Sequence, residues 1–153
     1  MMKRRTLVGR KLTELILETF RLNGALISTG DELVQDIGLT SARWQVLGAI
    51  ALEGRSLTVA QIARRMGNSR QAVQKVADGL KEAGLTEYQE NPDHKRADLV
   101  VLTKRGTLAY AEADARQTVW VNALGNGLDA KAIDEAIGLL RTIHDRCRRK
   151  ERG

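Results

Sequence analysis

The sequence has little of what would point to secretion, redox chemistry or a membrane. It contains one cysteine and one proline in 153 residues. A single cysteine, Cys147, cannot form an internal disulfide or a multi-cysteine metal site. Its uninterrupted apolar runs are far shorter than the roughly 18 residues that a membrane span needs. The basic start resembles that of a secretory signal, but Glu14 and Glu18 interrupt the apolar stretch that should follow. We therefore expect no membrane segment and a cytoplasmic location.

Sequence signals of catalysis are also missing. There is no Walker loop, no Gly-x-Ser-x-Gly elbow and no His or Cys set at metal-ligand spacing. The two histidines, His94 and His144, lie in different predicted elements, and His144 is interpreted as a structural histidine beside an apolar stripe. The sequence therefore favours a protein that is not an enzyme and that needs no cofactor or metal.

The composition, with 42% hydrophobic and 29% charged residues, predicts one globular and mostly helical domain over residues 1–153. The formal net charge of +6 is segregated along the chain. It is +5 over residues 1–11, −4 over 12–53, +4 over 54–105, −3 over 106–140 and +4 over 141–153. Such segregation indicates an anionic partner, either nucleic acid or an anionic membrane face, although basic chain ends are often simply solvated.

Apolar residues at helical spacing predict a long first helix over residues 10–36. A second helix is expected to begin after Thr40 as its N-cap and to run to about Glu53. Leu39, just before the cap, is placed to pack on Trp44 as a hydrophobic staple.

The next segment has the pattern of a helix-turn-helix. Thr58 and Gln61 are spaced as a capping box for a short helix that Gly67 ends. Asn68 is the expected N-cap of the following helix, which ends near Gly84. Two short helices joined by a tight turn that contains glycine are typical of this motif, although any helical hairpin can look similar.

A β-hairpin is predicted directly after these helices. Residues 85–90 and 97–102 have strand-like patterns, and the polar turn between them contains the only proline together with Lys95 and Arg96. A helix-turn-helix followed at once by a two-stranded ribbon with a basic tip is the winged-helix layout. We therefore predict a mainly α fold with a small β-hairpin wing and a DNA-binding core over residues 38–104.

The flanking helices need a partner for their apolar stripes. Thr103 is the expected N-cap of a helix to about Ala123, and Asp129 that of the last helix. We predict that residues 10–36 and 104–149 are dimerisation helices of a C2 dimer. The two recognition helices of the dimer would meet consecutive major grooves of a near-palindromic site if they lie about 34 Å apart. A helical bundle within one chain is the alternative.

The predicted recognition helix has one apolar and one polar face. Its core-facing residues are Val73, Val76, Ala77 and Leu80, and its outward residues are Arg70, Gln71, Gln74, Lys75 and Asp78. Arginine can contact guanine through two hydrogen bonds, glutamine can do the same with adenine, and lysine can reach phosphate or guanine. We therefore expect DNA contacts from the first four of the outward residues. An ordinary solvated helix surface is the alternative.

Further DNA contacts are expected beside this helix. Ser69 and the free amides at the helix start suit a backbone phosphate, and Thr58 is placed to donate to one, although capping alone explains Thr58. Lys95 and Arg96 at the wing tip suit the minor groove, where narrow A·T tracts attract arginine. A charged hairpin tip in solvent is the alternative for these two.

Over residues 10–148 the sequence resembles the MarR family of dimeric winged-helix transcription regulators. The most specific stretches are Asn91–Ala97, similar to the family's Asp-x-Arg wing signature, and Leu102–Gly106, similar to its Leu-Thr-x-x-Gly exit. Arg96 falls on the signature arginine, whereas His94 lies where the family usually has an aspartate that helps hold the wing.

The resemblance implies double-stranded DNA and a second copy of the chain as partners, and a repressor released by a small aromatic or anionic effector. Trp44 would line the effector crevice, although a core position explains it as well. Some relatives sense peroxide with a cysteine near the chain start, which is absent here, so Cys147 is interpreted as a buried interface residue. A winged-helix module that binds protein without specific DNA binding is the alternative function.

Overall fold

The computed structural model of the chain describes residues 4–149, so the outermost parts of both basic ends lie outside the described residues. The helices are α1 (Leu7–Val34), α2 (Ser41–Glu53), α3 (Val59–Met66), α4 (Arg70–Glu82), α5 (Lys104–Leu124) and α6 (Ala130–Arg149). A short 3-10 helix, Gln35–Ile37, follows α1, and the strands are β1 (Leu57–Thr58), β2 (Thr86–Gln89) and β3 (Leu99–Leu102). A first compact unit ends at Gln117 and a second begins at Thr118. The mainly α fold with a small antiparallel wing is thereby confirmed.

Side-chain caps begin α2, α3 and α5 at the predicted residues. Thr40 Oγ1 accepts from the Arg43 N–H at 3.2 Å, and Thr103 Oγ1 accepts from the Gly106 N–H at 3.0 Å. The capping box of α3 is complete, because Thr58 also donates its own N–H to the side chain of Gln61. These bonds satisfy amides that a helix start leaves without a partner.

The predicted cap of α4 is wrong by one residue. Ser69, not Asn68, is its N-cap, and Ser69 Oγ accepts from the Ala72 N–H at 3.2 Å. Asn68 instead belongs to the end of α3, where its N–H donates to the Ala63 carbonyl after Gly67 takes a positive φ of 66°. That backbone bond completes a Schellman-type end of α3, which leaves the next residue to begin α4.

The sheet has three antiparallel strands in the order β1-β3-β2. The hairpin of β2 and β3 was predicted, whereas the two-residue strand β1 was not. Val100 at the centre of β3 is opposite Leu57 of β1 and Tyr88 of β2. This register places the tyrosine ring on the side of the sheet next to α4, with which β2 is in contact.

The first unit has one hydrophobic core. Its largest fully buried side chains are Leu47, Leu57, Ile62, Leu80, Val34, Val46, Val73 and Val100. At the junction of α1 and α2, Ser41 Oγ donates to the Ile27 carbonyl at 2.7 Å. On α5, Arg116 donates to the Leu33 carbonyl at 3.0 Å and pairs with Asp36. The core and these polar contacts hold the helix-turn-helix and the wing against their supporting helices.

Helices α1 and α6 each carry exposed apolar side chains. On α1 these include Leu17, Phe20 and Leu22, and on α6 they include Ile137 and Leu140. None of the described residues of α6 is buried, and Cys147 is likewise exposed in the single chain. Within residues 4–149, no helix is both long and apolar enough to cross a membrane.

Candidate nucleic-acid interface

Helices α3 and α4 and the wing surround an open cleft of about 340 Å3. It is lined by Thr58, Val59, Ala60, Arg70, Gln74, Tyr88, Arg96, Ala97 and Asp98. Four of the predicted DNA contacts therefore share one cleft: Thr58, Arg70, Gln74 and Arg96. The two arginines come from different elements, the start of α4 and the wing, and they give the cleft a positive charge.

Two cations of α4 project into solvent. Arg70 and Lys75 are exposed, and within the described part of the chain neither side chain has a hydrogen-bonding or ion-pairing partner. Gln71 lies beside them, also exposed and without a side-chain partner among residues 4–149. These three side chains are therefore available to a ligand on the outer face of α4.

The two hydroxyl groups at the helix starts are used locally. Ser69 Oγ accepts from an amide of α4, and Thr58 Oγ1 accepts from the Gln61 N–H at 3.2 Å. Thr58 is only 9% exposed, at the edge of the cleft. Both positions serve as helix caps, and the remaining hydrogen of each hydroxyl is the group that a phosphate oxygen would accept.

Gln74 belongs to a hydrogen-bonded cluster that the sequence did not reveal. Its Nε2 lies 2.9 Å from Asp78 Oδ1 and 2.8 Å from the Tyr88 hydroxyl. The Tyr88 hydroxyl in turn donates to Asp78 Oδ1 at 2.6 Å, and the Lys81 ammonium lies 5.4 Å from the centre of the tyrosine ring. The four residues join the outer face of α4 to strand β2.

The electrostatics of this cluster fix which groups carry protons. Hydrogen bonds from Tyr88 and Gln74 lower the pKa of the Asp78 carboxyl, which is therefore ionised at neutral pH. Burial, together with the adjacent Asp78 carboxylate, raises the pKa of Tyr88 to about 12. The phenol therefore keeps its hydrogen and donates it to the carboxylate.

The wing tip is shaped by backbone turns and one asparagine. Asn91 Oδ1 accepts from the Asp93 N–H at 3.0 Å, and the Asn91 carbonyl accepts from the His94 N–H at 3.2 Å. Lys95 and Arg96 are exposed, and no side chain in residues 4–149 forms an ion pair with either. Asn91 thus shapes the turn, whereas the acidic residue that the family resemblance implies would fall at His94.

The two arginines of α3 differ in their surroundings. Arg65 forms a two-point pair with Glu53, in which Nε lies 3.0 Å and Nη2 2.6 Å from the two carboxylate oxygens. The hydrogen bond from Arg65 lowers the pKa of Glu53. Arg64 is exposed and forms no such pair within the described residues. Arg65 therefore joins α3 to the end of α2, and only Arg64 is left as a free cation on this helix.

A second cleft, of about 240 Å3, lies beside α1 and α2. Its lining residues are Asn23, Ile27, Ser41, Ala42, Gln45, Met66 and Asn68. Trp44, the expected effector contact, is half-buried and packs against the hydrophobic core. No group of three or more potential metal ligands among the His, Cys, Asp and Glu residues occurs in the part of the chain described.

Comparison with known proteins gives one family and one fold. A sequence profile of the MarR family matches residues 37–97. The uncharacterized protein Rv2011c of Mycobacterium tuberculosis is 37% identical over 133 residues, which cover 87% of this chain and 92% of that protein. The transcriptional regulator BldR of Sulfolobus solfataricus has a TM-score of 0.79 at 19% identity, over 93% of this chain and 99% of that one. CouR of Rhodococcus jostii, solved bound to p-coumaroyl-CoA, has a TM-score of 0.73 at 20% identity, over 80% and 86%.

Proposed function

This chain belongs to the MarR family of winged-helix transcription regulators, and from that membership we propose that it is a sequence-specific DNA-binding repressor that acts as a homodimer. The observation that carries the proposal is the cleft between α4 and the wing, where Arg70 and Arg96 project without protein partners among residues 4–149. Unpaired cations on two adjacent elements match the charge of the DNA backbone.

In the proposed complex, α4 enters the major groove and the wing reaches the neighbouring minor groove. Arg70, Gln71 and Lys75 contact base edges or phosphates from the exposed face of α4. The start of α4, a helix of 13 residues, offers amides and the Ser69 hydroxyl to a phosphate. Thr58, which also lines the cleft, donates to a phosphate.

The wing supplies the second set of contacts. Lys95 and Arg96 lie at the tip of the hairpin, where they reach a minor groove that is narrow and strongly negative at A·T tracts. Contacts in two grooves fix the orientation of the protein on the duplex, because the DNA backbone between the two grooves runs along the cleft.

A second copy of the chain is the proposed partner of the exposed apolar faces of α1 and α6. A C2 dimer would bury them and present two copies of α4 to a near-palindromic operator. Repression would follow from covering a promoter.

The cleft beside α2 supports an effector site for a small aromatic or anionic compound. Its lining combines apolar side chains such as Ile27 and Met66 with polar ones such as Gln45, which suits a small organic ligand. The related fold of CouR was solved bound to p-coumaroyl-CoA. Trp44, the expected effector contact, packs against the hydrophobic core and is not one of the residues that line this cleft.

Fluorescence anisotropy with duplexes selected from a random library, across a salt series, tests DNA binding. We expect affinity for one near-palindromic site that is at least about 10³-fold tighter than for scrambled duplex, with a steep salt slope. Arg70→Ala should cost about 1–3 kcal/mol on the selected site. Lys131→Ala, which removes the same charge from the exposed surface of α6, is the matched control and should change little.

The anisotropy test can also reject the proposed function. If no duplex is selected, or if all sequences bind weakly and equally, specific DNA binding is rejected. The winged helix would then be a protein-interaction module, for which salt-dependent affinity for duplex is not expected.

A further inference from the structure

We propose that Gln74 is a specificity-determining residue that offers its carbonyl oxygen to an exocyclic amino group of a base, and that Asp78 is the positioning residue that fixes this orientation. The inference rests on the proposed reading of DNA by α4. Gln74 is in contact with Asp78 and Tyr88 before any DNA is bound.

The orientation of the Gln74 amide follows from what its neighbours can accept. The Asp78 carboxylate can only accept hydrogen bonds, and Tyr88 has one hydroxyl hydrogen, which it gives to Asp78 at 2.6 Å. Both groups therefore require a donor from Gln74, and the amide nitrogen is its only donor. With Nε2 held at 2.9 Å and 2.8 Å, the carbonyl oxygen Oε1 is left without a partner among residues 4–149.

A fixed amide reads bases differently from a free one. A free glutamine can rotate its amide and offer either a donor or an acceptor to the major groove. The held Gln74 offers Oε1, which pairs with the N6 amino group of adenine or the N4 amino group of cytosine. Guanine O6 and thymine O4 are themselves acceptors, so they repel the same oxygen. The expected preference is for amino over keto bases at one position of each half-site.

The cluster is also stiff enough to keep this orientation. Tyr88 is half-buried and held in β2 by pairing with β3. The ammonium of Lys81 lies over its ring. The three polar atoms of Gln74, Asp78 and Tyr88 lie within 2.6–2.9 Å of one another, so displacement of one atom weakens two bonds. Gln74 therefore meets DNA with its amide already oriented, and little side-chain entropy remains to be lost on binding.

Base analogues that lack a single amino group test the proposal on the full-length protein. Duplexes are first selected from a random library. Each adenine is then replaced by the purine nucleoside without the 6-amino group, and each cytosine by the pyrimidinone nucleoside without the 4-amino group. At one position per half-site, loss of the amino group should weaken wild-type binding by a factor on the order of 10. Gln74→Ala should make that position indifferent to the amino group.

Asp78→Ala tests the positioning role. Without the carboxylate, the Tyr88 hydroxyl is free to donate to Oε1 or to accept from Nε2, so the amide can turn over. We expect the preference for amino over keto bases at the Gln74 position to fall from about tenfold to less than about threefold. Overall affinity should rise, because a negative charge near the DNA is lost. The measured quantity is therefore the ratio of affinities for the two base types.

Two comparisons separate positioning from charge. Asp98→Ala removes an exposed carboxylate that lines the same cleft, so it should raise affinity evenly and leave the base ratio unchanged. In a Gln74→Ala background, Asp78→Ala should have no further effect on the ratio, because its role passes through Gln74.

The possible failures are distinguishable. If no duplex is selected, the proposed function fails and this inference with it. If a site is selected but no single amino group is found whose removal weakens the wild type and leaves Gln74→Ala unaffected, or if Asp78→Ala leaves the base ratio unchanged, this inference is overturned while specific DNA binding stands.

Discussion

The polar side chains on α4 and the wing are of two kinds: some have no partner among the described residues, and others are already hydrogen-bonded to the protein. Arg70, Lys75 and Arg96 have no partner within the described residues, so binding DNA breaks no protein contact of theirs. Gln74 is already bonded to the protein. We expect the free cations to supply most of the affinity and its salt dependence, and Gln74 to supply discrimination.

Arg96→Ala should weaken binding most on sites with A·T-rich flanks. A narrow A·T minor groove has an enhanced negative potential, and the exposed guanidinium of Arg96 has no ion-pair partner in residues 4–149 to hold it away. Anisotropy titrations of one selected core site with A·T or G·C flanks measure the difference. Arg64→Ala, a change of the same charge on α3, is the control and should not depend on the flanks. Equal losses for Arg96→Ala on both duplexes would contradict minor-groove insertion.

Tyr88 should ionise near pH 12, about two pH units above an ordinary tyrosine. Because folding raises its pKa, the stabilisation from neutral Tyr88 is fully present below about pH 10 and is lost as the pH rises through 12. Tyrosinate absorbance of the native protein measures this, and subtracting the titration of Tyr88→Phe removes the signal of Tyr110.

Asp78→Ala should lower the pKa of Tyr88 without returning it to 10, because burial, the first cause of the shift, remains in the variant. Ionisation of Tyr88 in the ordinary range in the wild type, or no change in Asp78→Ala, would mean that the cluster is not formed in solution.

The exposed face of α4 was predictable from sequence, but the state of Gln74 was not. Helical periodicity places Gln74 outside the apolar stripe that contains Val73 and Ala77, and this requires only local spacing. Its partner Tyr88 is fourteen positions away. Whether that ring faces α4 depends on the register of the wing, which a slip of one residue would reverse.

At the scale of elements, the turn from β3 into α5 depends on Gly106. This glycine is buried, and a Cβ there would overlap with the carbonyl of Leu85. The same carbonyl accepts from the Thr103 N–H at 3.1 Å, and the Thr103 hydroxyl donates to the carbonyl of Gly84 at 2.8 Å. The glycine of the Leu-Thr-x-x-Gly stretch is thus required because backbone packs directly against it.

Gly106→Ala should lower the free energy of unfolding by about 1–3 kcal/mol, because the start of α5 must move away from Leu85, just before β2. Gly24→Ala is the matched control, since Gly24 lies within α1 and a Cβ there meets nothing within 4 Å. That change should be neutral or stabilising by about 0.5–1 kcal/mol. Urea denaturation of both variants measures the difference, and equal stabilities would show that the turn relaxes without cost.

An element could be predicted from the sequence when the contacts that form it join residues close together in the chain. The caps at Thr40 and Thr103 need partners only three residues away, and both were predicted. Strand β1 was missed because two residues carry no periodicity, and it exists only because β3 pairs with it. The contact of Arg116 with Leu33 spans 83 positions, so no local pattern could indicate it.

At the scale of the whole molecule, the exposed apolar residues of α1 and α6 bear on the oligomeric state. Phe20 is 69% exposed and Leu139 is 51% exposed in the single chain. Fully burying a large aliphatic or aromatic side chain contributes about 1.5–3 kcal/mol. Several such residues on two helices are therefore enough to drive association. The expected light-scattering mass is about 34 kDa, twice the 16.9 kDa of the chain.

Ile137→Glu should shift this mass towards that of one chain, because it places a carboxylate on the apolar face of α6. It should also weaken binding to a palindromic site more than binding to a half-site, since only the former uses both copies of α4. Leu52→Glu makes the same change at a side chain that is 83% exposed on α2, outside the predicted dimerisation helices, and should leave the dimer intact. A wild-type mass of one chain, or the same mass for both variants, would reject α6 as the dimer contact and leave an intrachain role for its apolar face.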